Sequence, residues 1–377
     1  MRLEFDVRMS RLVKNSFWMV SGALVAVLVL FVAQPKAAGD LRRVEVPGGG
    51  RGADIQVVSG RLHMVFARGQ DIYYASSADE GATLSAPVRV NTRGAFIDRE
   101  RGPKLAIGKD DSIHVVWMDS PPHRILYARS LDGGRRFSEP LALVTDERGE
   151  DGPSIAADDK SSVYVVWLGM GDRYDTSATA TMQLTVSRDN GATFSTPQPV
   201  RSNYPGGACA CCGLRAFLGA NGELFIAFRG AHRNIRDIFL LRTTNVTSGF
   251  EAAPVSNDRW RLEACPTMGP FAYYQPKQIL VSWMSDGQAY YAASKDGGKT
   301  FTPRVAPAQR ASTVRRNPFA VANERGETLF GWIEERTVSW EKISPEGRVL
   351  ESGQSPLTVN TRPTAFVDQK GGFVLVY

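Results

Sequence analysis

One eight-residue pattern recurs along the chain, and its spacing restricts the fold more than any other feature. The pattern is Ser-x-Asp-x-Gly-x-x-(Phe/Leu), and its four copies begin at Ser77, Ser130, Ser187 and Ser294. The first two gaps are 53 and 57 residues, and the last, of 107, is close to twice that period. Weaker copies begin at Thr244, inside the long gap, and at Ser344. A repeat of about 50 residues predicts tandem structural units.

The pattern describes a tight turn between two strands. Its aspartates can accept hydrogen bonds from the backbone amides that follow them, and its glycines supply positive φ. Each copy follows an alternating, strand-like stretch and precedes a short strand marked by proline. We therefore interpret the four aspartates as structural turn formers without a catalytic role; they are Asp79, Asp132, Asp189 and Asp296.

A second landmark recurs with the same period. A glycine, a proline or, in one copy, Leu214 opens a strand, and an aromatic residue follows 14 positions later, or 13 in one copy. The pairs are Gly52 and Phe66, Pro103 and Trp117, Pro153 and Trp167, Leu214 and Phe228, Pro270 and Trp283, Pro318 and Trp332, and Pro363 and Tyr377. Each unit then reads as four short antiparallel strands, which is the pattern of a propeller blade.

These landmarks predict an all-β protein, a β-propeller of four-stranded blades. The seven copies favour seven blades; six would result if one terminal unit packed outside the ring. The last unit ends at Tyr377 after its second strand. We expect residues 41–46 (LRRVEV) to complete it and so to close the ring without open edges.

Residues 50–377 resemble the sialidases and related BNR-repeat (Asp-box) propellers, because of the four boxes. In that superfamily the boxes lie on the rim, away from the active site, so the resemblance implies a fold rather than a reaction. The stretch from Cys209 (CACCGLRAFLG), together with that from Asp258 (DRWRLEACPTMGP), is similar to an exported subgroup of BNR propellers with unassigned chemistry. This resemblance implies that the cysteines form one unit with Arg236, Asp237 and Trp260.

In a propeller, the loop that leads into each first strand lies at the mouth of the central channel, where ligands usually bind. Candidate ligand-binding residues in these loops are Arg51, Arg101, Arg316 and Arg362, and the resemblance adds Arg236 and Asp237. The expected ligand is a glycan or a protein. Structural salt bridges with Asp151 and Glu263 are the alternative role for the arginines.

The four cysteines, Cys209, Cys211, Cys212 and Cys265, fall on two such loops. Cys212 and Cys265 are 53 residues apart, one repeat period, which predicts adjacent blades and a common opening. A disulfide from Cys265 to the Cys-Ala-Cys-Cys loop suits an exported protein. A thiolate site for Cu(I) or Zn(II) is a second interpretation, and unreactive buried thiols are a third. His232 is the histidine that could add a ligand.

The N-terminus has the order of an export signal. Basic residues precede an apolar run at positions 17–33, which predicts a signal peptide or a membrane anchor over residues 1–38 and a propeller over residues 39–377. The protein is then periplasmic or extracellular, and it contacts the membrane through this helix if the helix is not cleaved. The net charge of +6 and the absence of long Lys/Arg runs argue against nucleic-acid binding.

These observations favour an exported binding or scaffold protein with its site around the cysteines. An exo-acting glycoside hydrolase of the sialidase type is the alternative. That mechanism needs three arginines around a carboxylate, a Tyr–Glu pair and an acidic proton donor. The Arg-Ile-Pro motif of sialidases is absent, since residues 51–54 read RGAD, and Tyr377 occupies a hydrophobic aromatic position.

Overall fold

Short strands make up almost all of the regular structure in the computed structural model, which describes residues 36–37, 41–97, 101–119, 124–144, 150–169, 179–309, 313–356 and 362–377. Within these ranges the helical elements are four three-residue 3₁₀ segments, at Pro47–Gly49, Lys109–Asp111, His232–Asn234 and Val246–Ser248. The prediction of an all-β protein is confirmed.

The strands form seven sheets, which are the blades of a propeller and are numbered in chain order. Blades 1 to 3 contain Arg51–Val58, Arg61–Arg68, Asp71–Ser77 and Val88–Arg89; Lys104–Ile107, Ile113–Met118, Ile125–Ser130 and Leu141–Ala142; and Glu150–Ala157, Val163–Gly169, Thr179–Ser187 and Gln198–Pro199. Blades 4 to 6 contain Arg215–Leu218, Leu224–Arg229, Ile238–Thr243 and Glu251–Pro254; Phe271–Gln275, Gln278–Ser285 and Gln288–Ser294; and Arg315–Ala322, Thr328–Glu334, Thr337–Ile343 and Val349–Pro356. Blade 7 contains Thr364–Val367, Phe373–Val376 and Arg42–Val44. The favoured count of seven blades is confirmed.

Two further short strands extend the blades. Lys36–Ala37 pairs in parallel with the last strand of blade 6, and Ala208–Cys209 pairs with the third strand of blade 3. Blade 5 has three strands, and its outer edge is reduced to a single bridge between Tyr291 and Val305. Pro303 and Pro307 flank Val305, and neither has the backbone N–H that a longer outer strand would need.

The N-terminal part of the propeller closes the ring, as the sequence predicts. Arg42–Val44 pairs with Phe373–Val376 of blade 7, and the pairing is parallel. The amide of Val46 donates to the carbonyl of Tyr377 at 3.1 Å, which extends the ladder to the last residue of the chain. Blade 7 is therefore built from both ends of the propeller.

The hydrophobic core is divided among the contacts between blades. Seven clusters of buried apolar residues each join two neighbouring blades, and the seventh joins blade 7 to blade 1. The recurring aromatic residues of the second strands lie in these clusters, with Trp117, Trp167 and Trp283 at most 1% exposed. Because a single blade buries apolar side chains only against its neighbours, the complete ring is the unit that folds.

The turn pattern has the geometry of a capped hairpin. Asp79 Oδ1 accepts a hydrogen bond from the amide of Thr83 at 2.8 Å, and Asp79 Oδ2 accepts one from the Thr83 hydroxyl at 2.6 Å. Asp132, Asp189 and Asp296 make the same contact with the amide four residues on, at 2.9 to 3.0 Å. In all four boxes the serine hydroxyl donates to the aspartate and accepts from the glycine amide. These bonds satisfy the backbone of the turn.

Two of the boxes also pack against the blade before their own. Phe137 packs edge-on against Tyr74 at a ring-centroid distance of 5.7 Å, and Phe194 packs in the same way against Tyr127 at 4.8 Å. Gly134 has a φ of +86°, and a Cβ at this position would collide with the Tyr74 ring. Glycine is therefore required here both by the backbone and by the neighbouring blade.

The predicted signal or anchor helix lies outside the described residues. In the part of the chain that the structure describes, no helix is long and apolar enough to cross a membrane.

Candidate functional site

The first strands of all seven blades surround a central cavity of about 460 Å³. Its wall includes charged side chains from several blades, among them Asp54, Arg101, Lys104, Arg215 and Arg362. The loops leading into the first strands therefore meet at one opening.

Glycine backbones pack against one another at this opening. Gly213 and Gly269, in the lead-in loops of blades 4 and 5, approach so closely that a Cβ on Gly269 would collide with the Gly213 carbonyl oxygen. Gly102 stands in the same relation to Gly52, between blades 2 and 1. Cys212 directly precedes Gly213, and Cys265 lies four residues before Gly269. The glycine contact thus helps to bring the two cysteine-bearing loops together.

A disulfide joins these loops, as one of the sequence interpretations predicts. Cys211 and Cys265 are bonded, with 6.4 Å between their Cα atoms. The partner is Cys211, although Cys212 is the residue one repeat period before Cys265. Repeat spacing identifies which loops are neighbours, but the direction of each side chain decides which sulfurs meet.

Two free thiols lie beside the disulfide. Cys209 and Cys212 are 1% and 2% exposed, and neither is in a disulfide. The Sγ atoms of Cys209, Cys212 and Cys265 all lie within 4.8 Å of one another. Cys209 and Cys212 are separated by two residues, a Cys-x-x-Cys spacing that the sequence analysis overlooked. All four cysteines, together called the cysteine cluster below, therefore meet in one place.

A buried guanidinium group, that of Arg236, interacts electrostatically with Cys209 of the cluster. Arg236 is 1% exposed, and its Nε donates to the Leu262 carbonyl at 3.1 Å. Its two terminal nitrogens are buried, and neither has a hydrogen-bond partner among the residues that the structure describes. Buried polar groups almost always have partners, and an unpaired charged group is especially costly. Arg236 therefore marks a place where a negative charge would be stabilised.

A second arginine beside the cluster is fully paired. Arg229 is also 1% exposed, and it donates to the carbonyls of Met268, Arg236 and Met284 at 3.1, 2.7 and 2.7 Å. Its guanidinium lies 5.6 Å from the ring centroid of Trp260. These contacts join blade 4 to blade 5, so Arg229 is a structural residue whose charge also acts on the cysteines.

These charges change the acidity of the thiols. The hydrogen bond from the Cys212 thiol to Cys209 lowers the pKa of Cys209, and the positive charges of Arg236 and Arg229 lower it further. Burial raises the pKa of Cys212. The pair therefore favours one thiolate, on Cys209, that accepts a hydrogen bond from one thiol. A low-pKa thiolate is both a nucleophile and a metal ligand.

Asp237 organises the loop that carries Cys265. Its Oδ1 accepts hydrogen bonds from the amides of Asp258 and Arg259 at 2.8 and 3.0 Å, and from the Ser256 hydroxyl at 3.3 Å. Burial raises the pKa of this carboxyl group. The structure gives Asp237 partners that hold the loop, and Arg236 acts electrostatically on Cys209.

Of the other candidate arginines, Arg101 and Arg362 line the central cavity. Arg51 and Arg316 are exposed. Arg101 makes a two-pronged ion pair with Asp151, with both N–O distances 2.6 Å, which is the structural alternative that the sequence suggested. Arg362 donates to the Gly269 carbonyl at 3.4 Å.

The sequence did not predict one ion pair in the channel, and its suggestion that His232 could be a ligand is not supported by the structure. Asp54 and Arg215 form an ion pair that no local pattern indicates, because the two residues lie 161 positions apart. Within the described ranges, His232 does not join the group of ligand atoms that the cysteines form.

No protein-family model matches the sequence, and neither does any curated protein sequence. Among solved structures, the chain is similar to a protein of unknown function from Dyadobacter fermentans, with 14% identity, a TM-score of 0.52, and coverage of 76% of this chain and 95% of that one. It is similar to the intramolecular trans-sialidase from Ruminococcus gnavus, with 10% identity, a TM-score of 0.50, and coverage of 72% and 88%. It is also similar to the fucose-specific lectin from Aleuria aurantia, with 10% identity, a TM-score of 0.50, and coverage of 82% and 95%. Identities this low establish a fold alone, and the chain is a seven-bladed β-propeller with the sialidase-like fold.

Proposed function

We propose that this protein is an exported binding propeller, and that in its reduced form the cysteine cluster binds Cu(I) through Cys209, Cys212 and Cys265. The observation that carries the proposal is the meeting of three Sγ atoms within 4.8 Å beside Arg236, whose terminal nitrogens have no partner. The three sulfur atoms suit a soft cation, and the positive charge of Arg236 can balance the negative charge of the thiolate ligands.

The donor set favours copper over zinc. Thiolates are soft ligands that select Cu(I) and Zn(II), and hard cations prefer oxygen. Structural zinc sites are almost always four-coordinate, whereas the group of ligand atoms found in the described residues has three members. Three thiolates suit Cu(I), for which low coordination numbers are common.

The charge of the surroundings fits the same ligand. Three thiolates and one Cu(I) carry a net charge of −2, and burying that charge requires compensation. Arg229 and Arg236, both 1% exposed, supply two positive charges. The terminal nitrogens of Arg236, which have no hydrogen-bond partner among the described residues, would then gain anionic acceptors.

The side chains that line the channel favour a binding function over the sialidase reaction. Arg101 and Arg215 are each paired with a carboxylate, Asp151 and Asp54, and would have to leave it to hold a substrate carboxylate. Tyr377 is 7% exposed, in the apolar contact between blades 6 and 7. Neither arrangement resembles three free arginines around a carboxylate with a reactive tyrosine.

Copper binding is tested by anaerobic titration of the fully reduced protein with Cu(I) in competition with bathocuproine disulfonate. We expect one Cu(I) per chain, and a weaker site in Cys209→Ser and Cys212→Ser. Cys211→Ser is the matched control and should keep the affinity of the wild type. Failure of the reduced protein to compete for Cu(I) would refute the proposal; a parallel Zn(II) titration that gave the tighter site would replace copper by zinc.

The role of Arg236 is tested in the same titration. Arg236→Gln keeps a hydrogen-bonding side chain but removes its positive charge, so we expect Cu(I) affinity to fall by about tenfold, the usual effect of losing an outer partner of a metal ligand. Arg233→Gln, a change in an exposed residue of the neighbouring turn, is the control. Equal affinities in the two variants would remove Arg236 from the site.

Two further experiments address the enzymatic alternative and export. Hydrolysis of a fluorogenic sialoside by the purified protein, abolished by Arg101→Ala, would favour the glycoside hydrolase instead. The disulfide supports an oxidising compartment. A reporter fused after Tyr377 should therefore be active outside the cytoplasm, and activity inside it would contradict export.

A further inference from the structure

We propose that the Cys211–Cys265 disulfide is a redox gate for the metal site, so that reduction of this bond by a thiol permits metal binding and oxidation prevents it. This inference rests on the proposed function, since it assigns a form of control to the same site. It depends on one residue, Cys265, that belongs to both arrangements.

Cys265 cannot serve in both arrangements at once. Its Sγ is bonded to Cys211, and the same atom lies within 4.8 Å of the Sγ atoms of Cys209 and Cys212. The metal ligand is a thiolate, and a sulfur in a disulfide is not one. In the disulfide form the site therefore has only the two thiols of Cys209 and Cys212, and reduction supplies the third donor.

The gate has an accessible side. Cys209, Cys211 and Cys212 are at most 4% exposed, whereas Cys265 is partly exposed. The amide of Thr267, an exposed residue, donates to Cys265 Sγ at 3.3 Å. We therefore expect an external thiol to attack the disulfide at Cys265 rather than at the buried Cys211.

The exchange balances with two equivalents of a thiol RSH as the reductant. The thiolate RS⁻ attacks Cys265 Sγ, an S–S bond forms between R–S and Cys265, and Cys211 leaves as a thiolate that takes up a proton. A second RS⁻ attacks the R–S sulfur, releases RSSR and leaves Cys265 as a thiolate. The disulfide has gained two electrons, and two thiols have been oxidised to RSSR. Cys265 is then a metal ligand, and Cys211 is a free thiol.

In this proposal Cys265 is both a disulfide partner and a metal ligand, whereas Cys211 is a disulfide partner alone. Two matched variants distinguish these roles. Cys211→Ser and Cys265→Ser both remove the same disulfide, so they share any effect of its loss on stability. Only Cys265→Ser also removes a member of the three-sulfur group. A difference in metal binding between the two variants therefore reports the ligand role of Cys265 alone.

The test uses Cd(II), a soft ion that neither oxidises nor reduces thiols under these conditions, and follows thiolate-to-cadmium charge-transfer absorption. Wild-type protein with its disulfide intact should bind no Cd(II) at this site. The same protein, reduced and freed of reductant under anaerobic conditions, should bind one Cd(II) per chain. Binding of Cd(II) with equal affinity by the disulfide form would overturn the gate.

The reverse experiment follows from the shared sulfur, because a Cys265 thiolate that is bound to Cd(II) is not free to attack another disulfide. Bound Cd(II) should protect the reduced protein from oxidised glutathione, so that the Cys211–Cys265 peptide pair forms much more slowly than in the metal-free protein, as measured by mass spectrometry of alkylated digests. Equal rates with and without Cd(II) would contradict the gate.

The variants distinguish failure of the gate from failure of the metal site. Reduced Cys211→Ser should bind Cd(II) as the reduced wild type does. Reduced Cys265→Ser should bind it more weakly, by more than the roughly tenfold that removal of an outer partner causes. If the reduced wild type and reduced Cys211→Ser both failed to bind Cd(II), the metal site itself would be wrong and the gate with it. If both variants bound equally, Cys265 would not be a ligand and the gate alone would fall.

Discussion

Asp54 in blade 1 and Arg215 in blade 4 form an ion pair across the central channel. Both residues lie on first strands, and their blades are three positions apart, the largest separation in a ring of seven. The second carboxylate oxygen of Asp54 accepts a hydrogen bond from the amide of Leu105 in blade 2, at 3.0 Å. The side chains are 10% and 22% exposed. One ion pair therefore connects opposite walls of the ring and narrows the channel at this level.

Removing one side chain of this ion pair should destabilise the protein more than removing both. Arg215→Met leaves the Asp54 carboxylate buried beside one amide, and we expect the free energy of unfolding to fall by about 3 kcal/mol. Asp54→Asn with Arg215→Met should recover part of that loss, because no unpaired charge remains. Denaturant unfolding of the two single variants and the double variant measures this coupling. Strictly additive losses would show that the two side chains do not interact in solution.

The repeat architecture could be predicted because its signals are local. A serine, an aspartate and a glycine within five positions determine the box turn, and the structure shows these side chains bonded to their own backbone, as at Asp79. The aromatic residue of each second strand is an equally local signal, and it identified all seven blades. Ring closure followed from the incomplete last blade and the alternating residues at 41–46.

The candidate site was only partly predictable, since its contacts depend on tertiary geometry. Repeat spacing predicted that Cys265 would meet the Cys-Ala-Cys-Cys loop, but it could not select Cys211 as the partner. The Asp54–Arg215 pair and the unpaired nitrogens of Arg236 have no sequence signature. Both depend on how far side chains reach from strands in different blades.

Two buried histidines should make stability depend on pH. His63 Nδ1 and His114 Nδ1 are hydrogen-bonded to the hydroxyls of Tyr74 and Tyr127 at 2.8 and 2.6 Å. Burial lowers the pKa of each histidine from 6.5 to about 4. The unfolded chain therefore takes up protons near pH 6.5, whereas the folded protein does so only near pH 4. The stabilisation is complete above pH 6.5 and is lost as the pH falls toward 4.

Between pH 6.5 and pH 5 the size of this effect is on the order of 2 kcal/mol for each histidine, from the free energy of a pKa difference. Denaturation midpoints in urea at pH 7 and pH 5 measure it. His114→Gln should flatten the profile between these values, and exposed aspartates with low pKa, such as Asp132, act only at lower pH. A midpoint that is the same at pH 7 and pH 5 would mean that the histidines are accessible to solvent.

Removing an Asp-box carboxylate should destabilise the protein without affecting the cysteine cluster. Asp132→Ala deprives the amides of Arg135 and Arg136 of their acceptor at 3.1 and 3.0 Å, and the Ser130 hydroxyl of its own. We expect a lower melting temperature and unchanged Cu(I) binding by the reduced, folded protein. The melting temperature of Asp132→Asn, which keeps an acceptor oxygen, should lie between those of the wild type and Asp132→Ala. Loss of Cu(I) binding at an unchanged melting temperature would show that the boxes take part in ligand binding.

Closure of the ring by the N-terminal strand gives the last prediction. Val44 is 3% exposed, and it packs with Leu62 of blade 1 and Val374 of blade 7 in the cluster that joins the two blades. Its carbonyl accepts a hydrogen bond from the amide of Tyr377 at 3.2 Å. A smaller side chain here weakens one of the contacts that hold the two ends of the propeller together.

We expect Val44→Ala to lower the free energy of unfolding by about 2 kcal/mol, in the range of large-to-small substitutions in a core. Glu45→Ala is the matched control, because Glu45 is the exposed neighbour of Val44 on the same segment and should change stability by less than about 0.5 kcal/mol. Val44→Asp should be far worse than either, since it places a charge inside the cluster. If all three variants unfolded at the same denaturant concentration, blade 7 would not depend on the N-terminal strand, and the ring would be closed by Thr364–Val367 and Phe373–Val376 alone.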